Sequence, residues 1–124
     1  MGNGDVAHRV LVVDDDLDSS ELLTDALLAL GYAASFVLSG PAALESVERQ
    51  RPDVVVLDIG LPGMDGFQVI ERLRALPNGH ALRIVVLSGF NRPAEGAETA
   101  SAGFDEYLVK PVVVEQLTRI LKGG

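Results

Sequence analysis

The chain has 124 residues, 48% of them hydrophobic, which is the length of one domain with apolar surface enough for a core and excludes intrinsic disorder. It has no cysteine and only two histidines, His8 and His80, both expected at the surface, so disulfide scaffolds, thiol catalysis and zinc sites built on Cys or His are excluded. Ten basic against eighteen acidic residues give a net charge of -8, which argues against direct nucleic-acid binding. No apolar run approaches the ~18 residues of a membrane span and the start lacks a signal-peptide pattern, so a cytoplasmic domain without membrane insertion is expected.

Val10-Leu11-Val12-Val13 predicts a first strand. Asp18-Ser19-Ser20-Glu21 reads as a capping box with Asp18 as the cap, Asp16 facing solvent, and a helix carrying Leu22, Leu23, Ala26, Leu27 and Leu30 to a stop at Gly31. Ala34-Ser35-Phe36-Val37-Leu38 predicts a second strand whose weak alternation suits a sheet edge. Pro41 opens a second helix with Leu44 and Val47 inward, Glu45, Glu48, Arg49 and Arg51 solvated, and Pro52 as its stop. Val54-Val55-Val56-Leu57 is a third strand. In the turn Gly63-Met64-Asp65-Gly66, Asp65 can cap a third helix with Phe67, Val69, Ile70, Leu73 and Leu76, closed by Pro77-Asn78-Gly79. Ile84-Val85-Val86-Leu87 is a fourth strand, and Pro93 opens a fourth helix with an alanine face (Ala94, Ala97, Ala100) interrupted by Gly96. Tyr107-Leu108-Val109 is a short strand suited to the other edge, followed by a fifth helix from about Val113 to Leu121.

The first, third and fourth runs are apolar throughout, as strands covered on both faces are. Five β-α units in strict alternation imply an α/β fold with a doubly wound parallel sheet. One domain is expected over 1–124, with its core at about 9–121 and loose termini at 1–7 and 122–124.

Such sheets bind ligands beyond the carboxyl ends of their strands. The first strand delivers Asp14-Asp15-Asp16 there, the third Asp58, the fourth Ser88 and the fifth Lys110-Pro111. Converging within about 5 Å, two of these carboxylates repel by on the order of 3 kcal/mol at an effective dielectric near 20, so the cluster needs a cation. Hard oxygen ligands without imidazole or thiolate point to Mg²⁺, with Mn²⁺ as a substitute. Lys110 adds positive charge and Ser88 a hydrogen-bond donor, a set suited to moving a phosphoryl group onto a carboxylate.

Four segments, in order, carry a resemblance: Leu11-Val12-Val13-Asp14-Asp15, Leu57-Asp58-Ile59-Gly60-Leu61-Pro62-Gly63-Met64-Asp65-Gly66, Leu87-Ser88-Gly89 and Tyr107-Leu108-Val109-Lys110-Pro111. Over about Arg9 to Leu121 the chain resembles the receiver domain of bacterial two-component response regulators, and the second segment is worded like receivers joined to hybrid sensor histidine kinases. The resemblance implies a flavodoxin-like fold with strand order 2-1-3-4-5. Asp58 would be the phosphoacceptor, taking its phosphoryl group from the phosphohistidine of a sensor histidine kinase or phosphotransfer protein. Asp14, Asp15 and the Gly60 carbonyl would hold Mg²⁺ with Asp58. Lys110, before a cis Pro111, and Ser88 would bind the phosphoryl group, with Ser88 and Tyr107 as switch residues. The fourth helix, fifth strand and fifth helix would form the output face toward an effector, an output domain or a homodimer partner. The implied role is a phosphorelay signalling domain, not an enzyme with turnover.

The resemblance also implies that two positions, which vary in the family and line the approach of the hydrolytic water, shape the lifetime of an aspartyl phosphate. Gly60, two after Asp58, offers no side chain to orient a water, and Phe90, two after Ser88, places an apolar ring there, so slow self-dephosphorylation is expected. Gly60 also weighs against a phosphohydrolase, which carries a second aspartate at that place as general acid. The complete set Asp14, Asp15, Asp58, Ser88 and Lys110 weighs against a pure interaction module, and the acidic first loop against a flavin phosphate site.

Overall fold

Valine-rich runs without polar residues form strands that need apolar cover on both faces, and the helices between them supply it. The computed structural model describes residues 9–59, 66–88 and 103–123. Its elements are β1 (Arg9–Val13), α1 (Leu17–Ala29), β2 (Ala33–Val37), α2 (Gly40–Gln50), β3 (Val54–Asp58), α3 (Gly66–Ala75), a 3-10 turn (Gly79–Ala81), β4 (Arg83–Ser88), β5 (Glu106–Val109) and a C-terminal helix (Val114–Gly123). The five strands pair in parallel in the order β2-β1-β3-β4-β5, which places the two weakly apolar runs at the edges. The expected fourth helix lies outside the described residues, as do Asp65 and Pro93.

Alternate residues of the central strands feed two separate cores. Leu11, Val13, Val55, Leu57, Ile84 and Val86 meet Ala43 of α2 and Val69, Ile70 and Leu73 of α3. Their neighbours Val10, Val12, Val54, Val56, Val85 and Leu87 meet Leu27 of α1 and Leu117 and Leu121 of the C-terminal helix. This two-sided burial is what a continuous apolar strand sequence demands.

The N-cap of α1 lies two residues before the expected one. Asp16, not Asp18, holds the extended N-cap conformation, and its Oδ2 accepts the Ser19 backbone N–H at 3.1 Å and the Ser19 hydroxyl at 2.6 Å. Asp18 falls inside the first turn. The face that α1 buries also differs from the expected one: Ser20, Thr24 and Leu27 are buried, while Leu22 is 75% and Leu30 55% exposed. Gly31 takes φ +99, the left-handed exit that glycine permits most readily.

α2 is capped by Ser39, whose Oγ accepts the Ala42 N–H at 3.3 Å, with Pro41 in the first turn. It ends at Arg51, which takes a left-handed φ of 52 and donates its N–H to the Val47 carbonyl, and Pro52 follows as the stop. Leu44 and Val47 pack, partly buried, against the α2–α3 side of the sheet. On α3, Val69, Ile70 and Leu73 are buried and Phe67 stays exposed. His80 is exposed, in the 3-10 turn.

Candidate functional site

Register places the site. Val13 pairs with Leu57, so the next residues, Asp14 and Asp58, leave adjacent strands side by side. Asp58 pairs with Leu87 and Ser88 with Val109, which brings Ser88 and Lys110 to the same end of the sheet. The Ile59 N–H donates to the Leu87 carbonyl at 3.2 Å and the Lys110 N–H to the Ser88 carbonyl at 2.7 Å, carrying both pairings past the strand ends.

Asp14 is 4% and Asp58 7% exposed, whereas Asp15 faces solvent. One carboxylate oxygen from each of the three lies within 4.8 Å of the others. The Asp14 Oδ1 accepts the Asp16 N–H at 3.0 Å, and the Asp14 carbonyl accepts the Ser20 hydroxyl at 3.0 Å, so the start of α1 fixes this loop. The Lys110 Nζ donates directly to Asp58 Oδ2 at 2.6 Å, and the Lys110-Pro111 peptide is cis. Ser88 is 1% exposed at the end of β4. Tyr107 is half-buried on the α2–α3 side of the sheet, its ring 6.1 Å from that of Phe104 at an interplanar angle of 42°. Gly60 and Phe90 lie outside the described residues.

Two carboxylates 4.8 Å apart repel by about 3.5 kcal/mol at an effective dielectric near 20. The electrostatics of Asp58 reflect this crowding. Burial pushes its carboxyl above the ordinary value, Lys110 pulls it down, and Asp14 adds to the upward push. Burial works against the Lys110 ammonium, but its hydrogen bond to Asp58 and the charges of Asp58, Asp14 and Asp15 prevail and hold its pKa up. Asp16, at the surface, is lowered by its hydrogen bonds from Ser19.

Among the described residues, Asp14, Asp15 and Asp58 form the group able to hold a metal ion. Three carboxylates with no imidazole or sulfur suit a small hard divalent cation, and such a cation adds to the relief of repulsion that Lys110, hydrogen-bonded to Asp58, supplies in part.

The structure thus brings Asp14, Asp15, Asp58, Ser88 and Lys110 to one end of the sheet and sets Tyr107 one strand-length back along β5. Three contributors were not visible in the sequence. Ser20 was read only as part of a capping box and Asp16 only as a solvent-facing residue, although a serine ahead of inward leucines is itself a signal of a specific hydrogen bond. Arg74 drew no reading from the sequence, yet its Nη2 pairs with Asp105 Oδ2 at 2.9 Å at the approach to β5.

A family model described as the response regulator receiver domain matches residues 10–122. The transcriptional regulatory protein PrrA of Mycobacterium tuberculosis is 38% identical over 122 residues, covering 98% of this chain and 52% of that protein. An uncharacterised 14.6 kDa protein of Leptolyngbya boryana is 36% identical, covering 91% of this chain and 86% of that one. The chain therefore spans about half the length of the regulators it matches. Among solved structures, a CheY-like receiver domain from Methylobacillus flagellatus superposes with a TM-score of 0.85 at 32% identity, covering 94% of this chain and 98% of that one. The receiver domain of a Pseudomonas aeruginosa sensor histidine kinase, with a magnesium ion coordinated in its active-site cleft, superposes with the same score, 0.85, at 32% identity, covering 94% of this chain and 96% of that one.

Proposed function

The chain belongs to the response regulator receiver family, a family of signalling domains, and from that premise we propose that Asp58 accepts a phosphoryl group from the phosphohistidine of a sensor histidine kinase or phosphotransfer protein. The observation that carries this reading is the convergence of Asp14, Asp15 and Asp58 within 4.8 Å, with Lys110 already seated on Asp58 at 2.6 Å. An Asp58 oxygen forms the new P–O bond while the donor's P–N bond breaks, and the departing imidazole takes up a proton. Lys110 is placed to leave the carboxylate for a phosphoryl oxygen as negative charge moves outward, and the Ser88 hydroxyl to donate to another. A Mg²⁺ held by Asp14, Asp15 and Asp58, with the Gly60 carbonyl, supplies positive charge against the phosphoryl oxygens when bound.

Once Asp58 carries the phosphoryl group, Lys110 and Ser88 have new partners, and that difference in contacts biases the conformation. Tyr107, on the strand that leads to Lys110, would report it toward the side of β5 and the C-terminal helix, the face to which the fourth helix expected from the sequence would belong. That face is the proposed output and homodimer surface. With glycine two after Asp58 and phenylalanine two after Ser88 in the sequence, neither Gly60 nor Phe90 offers a polar side chain to orient a water, so loss of the phosphoryl group is slow, and the domain catalyses only its own phosphorylation and dephosphorylation in the cytoplasm. Among the described residues no helix is long and apolar enough to cross a membrane.

The test is incubation with Mg²⁺ and acetyl phosphate followed by intact mass. One added phosphoryl group, absent with EDTA and in Asp58→Asn, is the expected result. An unmodified protein under all conditions overturns the reading, and rapid catalytic consumption of the donor favours a phosphohydrolase.

A further inference from the structure

The chemistry proposed above sits at one end of β5, but the structure fastens the other end of that strand with unusual completeness. β5 is an edge strand of four residues with β4 as its ladder partner. Just before it, the Asp105 N–H donates to the Ile84 carbonyl at 2.8 Å, and Asp105 Oδ2 accepts the Ile84 N–H at 2.8 Å. Arg74 of α3 holds this arrangement in place. Its Nη2 donates to Asp105 Oδ2 at 2.9 Å and its Nε to the Gly103 carbonyl at 2.8 Å. Its Nη1 donates to the carbonyls of Gly79 at 2.8 Å and Leu82 at 2.5 Å. One planar guanidinium thus ties α3, the turn after it, the approach to β4 and the approach to β5. Gly103 sits at φ +90 against Ile70 and Arg74, where a side chain would be strained.

At the opposite end of α3, Gly66 packs on Ile59, the residue after Asp58; an added Cβ would come within 2.5 Å of the Ile59 Cγ2. α3 therefore touches the Asp58 segment with its first residue and grips the start of β5 with Arg74.

We propose that Arg74, acting through Asp105 and the Gly103 carbonyl, is a positioning residue that fixes β5 against β4 and so sets where Tyr107 and Lys110 stand relative to Asp58. The part of this that concerns phosphoryl acceptance rests on the function proposed above. Arg74 touches no reacting group. It acts as a bracket at the start of the strand whose far end is held by the Lys110 N–H on the Ser88 carbonyl. A lysine keeps the charge but cannot reach four acceptors at fixed angles, so Arg74→Lys is not conservative here.

The test compares the wild type with Arg74→Gln, Arg74→Lys and Asp105→Asn, each at a temperature where circular dichroism shows it folded. Amide exchange of Glu106 to Val109 is expected to quicken about tenfold or more in the Arg74 variants while β1 and β3 amides change about twofold or less. Asp105→Asn keeps an acceptor for Ile84 and is expected to follow in the same direction with a smaller effect. It decides the matter if the Arg74 variants do not fold. With saturating Mg²⁺, phosphorylation by acetyl phosphate slows about three- to tenfold in the Arg74 variants, since small misplacements of a charged group cost rate, while the apparent Mg²⁺ dissociation constant stays within about twofold. Unchanged exchange in β5, or an equal rise in β1, β3 and β5, overturns the proposal. So does an unchanged phosphorylation rate in a variant whose β5 exchange has quickened. A wild type that accepts no phosphoryl group refutes the function reading alone, and the exchange measurement still decides the bracket.

Discussion

Asp14→Asn is expected to stabilise the metal-free protein. The Asp14 and Asp58 carboxylate oxygens lie within 4.8 Å, a repulsion of about 3.5 kcal/mol at an effective dielectric near 20. Part of that gain is cancelled, because the attraction between Asp14 and Lys110 disappears with the charge. Asp15 is exposed, so relief of its repulsion with Asp14 adds only a fraction. The net expectation is about 1–2 kcal/mol of added stability. Asparagine keeps an oxygen to accept the Asp16 N–H, now at 3.0 Å, so the start of α1 is preserved. The assay is urea unfolding in EDTA, where the midpoint rises at constant m-value. With Mg²⁺ at about ten times its dissociation constant the wild type gains about 1.4 kcal/mol by linkage and the variant gains less, so the gap narrows or reverses. A variant less stable than the wild type in EDTA, with full response to Mg²⁺, would refute the charge-crowding argument.

Four further outcomes follow from the same geometry. Lys110→Ala raises the Asp58 carboxyl further, since burial and Asp14 both push it up and Lys110 opposes them; carbon-13 NMR titration of Asp58 reads the shift. Because the folded-state value of Asp58 already lies above 3.8, its contribution to metal-free stability is present at low pH and is lost as pH rises from 3.8 through the raised value. The stability difference between wild type and Asp58→Asn, followed by urea unfolding against pH, isolates that slope, and a difference that instead grows in favour of the wild type over this window contradicts it. Gly66→Ala forces a Cβ to within 2.5 Å of the Ile59 side chain and costs about 1–3 kcal/mol by denaturant unfolding. Asp16→Ala lowers the thermal midpoint and Asp18→Ala leaves it nearly unchanged, because Asp16 is the residue whose carboxylate meets the Ser19 N–H.

The strands and most of the site were legible because each site residue follows an apolar run. Val10–Val13 and Val54–Leu57 can only be two-sided strands, and once they pair in parallel the residues after them, Asp14 and Asp58, must emerge together. The start of α1 was ambiguous because Asp16 and Asp18 are both good caps. The choice between them depends on where β1 releases the chain, set by the Asp14 loop and its hydrogen bonds to Asp16 and Ser20. The face of α1 was a separate ambiguity, settled by packing: Leu22 and Leu30 lie outward, while Ser20, bonded to the Asp14 carbonyl, and Thr24 lie inward. Arg74 was illegible for a different reason. Its partners Gly103 and Asp105 lie 29 and 31 residues away, and no local pattern marks an arginine at a helix end as the bracket of a distant strand.

The most direct measurement is to treat the protein with acetyl phosphate and Mg²⁺, reduce the acyl phosphate with borohydride, and locate the resulting homoserine by peptide mass spectrometry. The expected result is conversion at position 58 alone, abolished by EDTA. Conversion at Asp14 or Asp15 with Asp58 intact, or no conversion in folded protein, would contradict the assignment of Asp58 as the phosphoacceptor.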